Sequence, residues 1–130
     1  MAKVLVIDDE EAVRALARRM LESRNHTVIE AAAGVAGLKA FEEEKPDVIV
    51  TDIIMPNTDG LEVIREIRRQ DPKAGIIAVS GGGLLPDQTY LGYARKFGAT
   101  AVLPKPFTPV QLLSLIDDLP SHTAPEKAAP

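Results

Sequence analysis

Five residues carry side chains that could do chemistry together: Asp8, Asp9, Asp52, Ser80 and Lys105. Asp8 and Asp9 follow the apolar run Val4-Leu5-Val6-Ile7, and Asp52 follows Val48-Ile49-Val50-Thr51. Ser80 ends Ile76-Ile77-Ala78-Val79, and Lys105 comes just after Ala101-Val102-Leu103. Three carboxylates brought close together would repel and raise one another's pKa unless a cation joined them. An all-oxygen acidic cluster suits a hard ion, Mg2+ above all, with waters completing the octahedron. Carboxylates that hold such an ion, with a hydroxyl donor and an ammonium on the same rim, make a site for a phosphoryl group. One of the carboxylates could itself be the nucleophile, forming an acyl phosphate.

Taken singly, each residue has a plainer use. Asp8 and Asp9 could cap a helix, Asp52 could be a turn residue, Ser80 a routine strand-end hydroxyl and Lys105 a solvated surface charge. It is their joint placement at strand ends that favours one site. Asp59, before Gly60, is expected to serve a turn or a cap. His26 and His122 stand alone and are assigned no metal or catalytic role, and Arg18-Arg19 and Arg68-Arg69 read as solvated helix faces. Gly81-Gly82-Gly83 lacks the lysine and spacing of a nucleotide P-loop and reads as a mobile hinge.

The elements that must position these residues alternate in period. Val4–Ile7 is a short apolar strand, followed by a helix with Val13, Leu16, Ala17, Met20 and Leu21 inward and acidic residues at its positive dipole end. Thr27–Ala31 is a second strand, and a helix around Val35 to Glu43 turns Leu38 and Phe41 inward. The β-branched run Val48-Ile49-Val50 is expected of a strand covered on both faces, with Asp52 at its carboxyl end facing solvent. Met55-Pro56 and Asp59-Gly60 are turn signals. A third helix carries Leu61, Ile64 and Ile67 and ends at Asp71-Pro72. Ile76–Ser80 is the fourth strand, and a helix from about Pro86 to Phe97 carries Tyr90, Leu91, Ala94 and Phe97, stopped by Gly98. Ala101–Leu103 and a helix from about Pro109 to Leu119, with Val110, Leu113 and Ile116 inward, complete the series. Five strand–helix pairs imply an α/β fold, a doubly wound parallel sheet with right-handed crossovers. In such sheets ligands bind beyond the carboxyl ends of the strands, where strand order reverses.

At 130 residues, 45% hydrophobic and 26% charged, the chain fits one domain with a single core. That domain is expected over residues 1–119, with 120–130 a disordered tail or linker because its three prolines interrupt a stretch without apolar period. The absence of cysteine excludes a disulfide frame and a thiolate zinc site. The strand beginning by Val4 leaves no room for a signal peptide, so the cytoplasm is the expected compartment. A net charge of −4, with no Lys/Arg run longer than two, argues against direct nucleic-acid binding. No apolar run approaches membrane-spanning length, so no membrane insertion is expected.

Val4–Asp9 with Glu10, Thr51-Asp52-Ile53-Ile54-Met55-Pro56 with Asp59-Gly60, Ser80, and Lys105-Pro106-Phe107 together resemble the signature of two-component response-regulator receiver domains, of the chemotaxis-regulator kind. The resemblance runs from about Lys3 to Leu119. It implies a flavodoxin-like (βα)5 fold with strand order 2-1-3-4-5, and a phospho-acceptor signalling domain that catalyses only its own phosphorylation and dephosphorylation. By it, Asp52 takes a phosphoryl group from a histidine kinase or histidine phosphotransfer protein. Mg2+ is held by Asp8, Asp9, Asp52 and the Ile54 backbone carbonyl, Ser80 hydrogen-bonds the phosphoryl oxygen, and Lys105 pairs with it. It further implies a cis Lys105-Pro106 bond and a downstream protein partner on the face built from the fourth helix, fifth strand and fifth helix.

Some positions depart from the family pattern. Val102 stands where many receivers carry an aromatic ring that rotates with activation. Ser80 and Lys105 are 25 positions apart, a few more than usual, and the excess falls in Gly81 to Asp87. Gly82 and Ile54 offer no polar side chain to orient water, which suggests slow loss of phosphate. Two other readings are open at this stage: a phosphorylation-independent receiver-like adaptor, and a haloacid-dehalogenase-type phosphatase, which would want an Asp-x-Asp where Asp8 and Asp9 are adjacent.

Overall fold

The computed structural model describes residues 2–56, 58–80 and 87–119, without the side chains of Thr58 and residues 87–91. Expectations for the Gly81–Gly83 loop, for Tyr90 and Leu91 as core side chains, for His122 and for the tail over 120–130 lie outside the described residues.

Along the chain the elements are β1 (Lys3–Ile7), α1 (Glu11–Glu22), β2 (Thr27–Ala31), α2 (Gly34–Glu44), β3 (Val48–Asp52), β4 (Ile54–Met55), β5 (Thr58–Asp59), α3 (Gly60–Gln70), β6 (Gly75–Ser80), α4 (Asp87–Phe97), β7 (Ala101–Pro104) and α5 (Pro109–Asp118). Five of the strands form one sheet in the order β2-β1-β3-β6-β7, every neighbouring pair parallel. Counting only those five, the order is 2-1-3-4-5, as expected. The β4–β5 pairing is a two-residue antiparallel clip, with Ile54 opposite Asp59, in the stretch where turn signals were read.

Side-chain alternation splits the core into two layers. Leu5, Ile7, Ile49, Ile76 and Ala78 face one way, against Phe41 of α2, Ile64 and Ile67 of α3 and Ala94 of α4. Val4, Val6, Val48, Val50, Ile77 and Val79 face the other, against Ala17 and Leu21 of α1 and Leu112 and Ile116 of α5. All residues of β3 and β6 are buried, as continuous apolar runs in a doubly covered parallel sheet should be. Gly98 ends α4 with φ +128°, a conformation side-chain-bearing residues rarely adopt, and its N–H returns to the Ala94 carbonyl.

Several inward assignments need correction. Leu16 is 48% exposed, because the inner arc of α1 is centred on Ala17, Met20 and Leu21. Val110 is 70% exposed, whereas Leu112 is fully buried. The two are two positions apart, roughly 200° around a helix, so they cannot share a face. Arg68 is also not a solvated residue. Its guanidinium donates to the Gly98 carbonyl at 2.9 and 3.0 Å, to Thr100 Oγ1 at 3.1 Å and to the Pro72 carbonyl at 2.8 Å, tying the end of α3 to the turn after α4. Arg69 does lie on the solvent face, paired with Glu66. Among the described residues, no helix is long and apolar enough to cross a membrane.

Candidate functional site

Strand order reverses at β1, and the carboxyl ends of β1 and β3 lie side by side in register, Ile7 opposite Thr51. The residues just past those ends therefore meet. Asp52, the last residue of β3, is 5% exposed and Asp8 is 3% exposed. The expectation that Asp52 faces solvent is corrected, since its two carboxylate oxygens are engaged by the Ile54 N–H and by Lys105. One Asp52 oxygen, Oδ1, accepts the Ile54 N–H at 2.9 Å, which turns the chain out of the sheet. The other, Oδ2, accepts Lys105 Nζ at 3.0 Å.

Lys105 reaches the same point from β7. Its N–H donates to the Ser80 carbonyl at 2.9 Å, anchoring the backbone at the end of β6, and the Lys105–Pro106 bond is cis, as the resemblance implied. The ammonium lies 3.0 Å from Asp8 Oδ2, 3.0 Å from Asp52 Oδ2 and 3.1 Å from Glu10 Oε1. Burial disfavours its charge, but the hydrogen bonds it donates to Asp52 and Asp8 outweigh that and hold Lys105 well above the ordinary lysine range. Burial pushes Asp52 up from the usual carboxylate range, and the nearby charge of Asp8 adds to that push. The Ile54 N–H and Lys105 work in the opposite direction.

Among the described residues, the three carboxylates able to share a cation are Asp8, Glu10 and Asp52, each offering an oxygen within 4.8 Å of the others. Asp9, expected beside Asp8, is exposed and is not one of the three. Sequence reasoning missed Glu10, placing it with Glu11 at the helix start. No sequence signal marked it, because its place depends on loop conformation: Glu10 has extended backbone, φ −91° and ψ 115°, and in extended chain residues two apart point the same way. Its side chain makes no capping bond, being committed to Lys105 instead. Asp8 Oδ1 accepts the Glu10 N–H at 2.8 Å, fixing the short path between the two carboxylates. The donor set is wholly oxygen and anionic, so it fits a hard divalent cation, and in this structure the Lys105 ammonium supplies the positive charge.

Ser80 completes the rim. It is fully buried, and its Oγ is a buried polar atom with no hydrogen-bond partner among the described residues. Buried hydroxyls normally find a partner, so one left open at a strand's carboxyl end suits an acceptor that arrives with a ligand. Asp59 caps α3, its Oδ1 accepting from Leu61 N at 3.1 Å and Glu62 N at 3.4 Å, as read from the sequence. Pocket, clip and cap thus follow one another along a few residues.

Known proteins resemble the chain over nearly its whole described length. Residues 4–117 match the family described as the response regulator receiver domain. Over 120 residues the chain is 40% identical to part of the sensor kinase CckA of Brucella abortus, covering 91% of this chain and 12% of that protein. It is 35% identical over 127 residues to the response regulator MprA of Mycobacterium bovis, covering 98% of this chain. The chain spans about half of MprA's length, 54%. Among solved structures, a receiver domain protein of Clostridium thermocellum matches with a TM-score of 0.84 and 34% identity, covering 92% of this chain and 94% of that one. The chemotaxis protein CheY4 of Vibrio cholerae matches with a TM-score of 0.81 and 30% identity, covering 92% and 99%. With the sheet order, the acidic cluster and a match over nearly its whole described length, this chain belongs to the response regulator receiver domain family of two-component systems.

Proposed function

We propose that Asp52 accepts a phosphoryl group from a phosphohistidine on a histidine kinase or histidine phosphotransfer protein, in a Mg2+-dependent step. The observation that carries this reading is a buried carboxylate flanked by a bound ammonium and two further carboxylates, with an open buried hydroxyl at the end of the adjacent strand. Asp8, Asp9, Asp52 and the Ile54 carbonyl are the proposed metal ligands, with Glu10 near enough to join them. When bound, Mg2+ offsets the charge on the transferring phosphoryl oxygens.

The rest belongs to the chain. Ile54 N–H and Lys105 fix the Asp52 carboxylate so that one oxygen can lie in line with the donor's P–N bond. A new Asp52 O–P bond forms as the P–N bond breaks, and the departing imidazole keeps the electron pair and takes its proton from water. Lys105 then pairs with a phosphoryl oxygen and Ser80 Oγ donates to another, giving its hydroxyl the partner it lacks. Water attack on the same phosphorus reverses the modification, so the domain acts on nothing but its own phosphate.

Output is proposed as a population shift of the face built from α4, β7 and α5, drawn by Ser80 at the end of β6 and Lys105 after β7. Exposed apolar side chains on two of those elements, Tyr93 on α4 at 46% and Val110 on α5 at 70%, support a protein partner there. The net charge of −4 supports a protein over nucleic acid.

Intact mass spectrometry tests the acceptor. Incubation with acetyl phosphate is expected to add one phosphoryl mass to the native chain only when Mg2+ is present, and none to Asp52→Asn. A folded native chain that gains nothing sinks the phospho-acceptor reading and moves the phosphorylation-independent adaptor ahead of it.

A further inference from the structure

Arg14, in the first turn of α1, reaches back to the loop that carries two of the three clustered carboxylates. Its Nη1 donates to the Asp8 carbonyl at 2.8 Å, and its own N–H donates to the Glu10 carbonyl at 3.1 Å. The guanidinium is fixed from behind, because Nε donates to Glu30 Oε1 on strand β2 at 3.1 Å. The second Glu30 oxygen accepts Arg18 Nε, and Arg18 also donates to the Val28 carbonyl at 3.2 Å and to Glu22 Oε2 at 2.8 Å. The side chains of Arg14 and Glu30 are only 15% and 28% exposed, unlike an ordinary surface pair. Hydrogen bonds from Arg18, then Arg14, hold Glu30 below the usual carboxylate range despite some burial. The same loop is pinned to β2 by the Asp8 N–H, which donates to the carbonyl of Ala31, the residue after Glu30.

Without such a frame, mutual repulsion among Asp8, Glu10 and Asp52 would push the loop over 8–10 outward. A guanidinium suits this task, because its planar fork can serve a carbonyl and a carboxylate at once, which an ammonium cannot do with fixed geometry.

We infer that Arg14, clamped by Glu30, is a positioning residue that holds the main chain of Asp8 and Glu10 so that their carboxylates converge on Asp52, and so sets the affinity of the pocket for a divalent cation. This rests on reading the acidic cluster as a metal site. Groups one step removed from metal ligands typically change affinity by roughly 10–100-fold when lost. Loss of the clamp leaves the ligands present but obliges the cation to order the loop on binding.

The experiment measures Mn2+ binding to the full chain by electron paramagnetic resonance of the free ion, with folding checked by circular dichroism. Arg14→Gln is expected to weaken Mn2+ binding about tenfold, and Arg14→Lys to recover only part of that loss. Glu30→Gln keeps Arg14 but neutralises its anchor, and is expected to weaken binding by a smaller factor. It is the deciding variant where Arg14→Gln disturbs α1. Glu22→Gln breaks an outer arm of the network and is expected to leave binding unchanged. Native affinity in folded Arg14→Gln and Glu30→Gln overturns the clamp. Failure of the native chain to bind Mn2+ overturns the metal reading beneath it.

Discussion

At the residue scale the pocket is a charge-balance problem. Asp8 and Asp52 are almost fully buried, and in this structure their charge is answered by one ammonium, Lys105. Lys105→Met keeps the apolar stem and removes the charge, leaving buried carboxylates facing one another. Breaking a buried ionic cluster by deleting one partner costs on the order of 3 kcal/mol. Urea unfolding without divalent ions is expected to show a loss of that size, and saturating Mg2+ is expected to restore most of it, since a second cation then does the same work. An equal loss with and without Mg2+ would contradict the proposed metal ligands. That Asp8, Asp52, Ser80 and Lys105 lie at neighbouring strand ends was legible from the apolar runs before them. Glu10 and the burial of Asp52 were not, because they depend on loop conformation and on Lys105 arriving from 53 residues away.

At the scale of elements, every strand and helix of the main sheet could be read from apolar runs and their change of period. Helix phase was less secure. In α5 the residues Val110, Leu112, Leu113 and Ile116 offer two overlapping stripes, and Pro109 with the capping box of Thr108 and Gln111 fixes where the helix starts. The structure chooses Leu112, Leu113 and Ile116 for the core and leaves Val110 outside. Leu112→Ala is therefore expected to cost roughly 2–5 kcal/mol, as other fully buried leucines do. Val110→Ala is expected to stay within about 0.5 kcal/mol. Denaturant midpoints that reverse this order would show the helix rotated. Arg68 was misread for a related reason: a helix-face pattern cannot reveal that a long side chain has three backbone carbonyls and a hydroxyl within reach at the far end of its helix.

At the scale of the whole molecule, topology does the assembling. The order β2-β1-β3-β6-β7 places the ends of β1 and β3 together and those of β6 and β7 beside them, so residues from positions 8 to 105 share one rim. α1 and α5 lie on one side of that sheet and α2, α3 and α4 on the other, so the helices cover its two faces. In the proposed mechanism, a charge added at Asp52 would act on Ser80 at the end of β6 and on Lys105 after β7, at the roots of the proposed α4, β7 and α5 output face. What that face binds was not legible, because output surfaces are set by exposed side chains with no periodic constraint. The central claim is narrower and can be tested directly. Borohydride reduction of the chain after treatment with acetyl phosphate and Mg2+ converts an aspartyl phosphate to homoserine, and peptide mass spectrometry locates it. Homoserine at position 52 alone is the predicted result. Homoserine at position 8 or 9, or nowhere in a folded chain, would contradict the assignment of Asp52 as the acceptor.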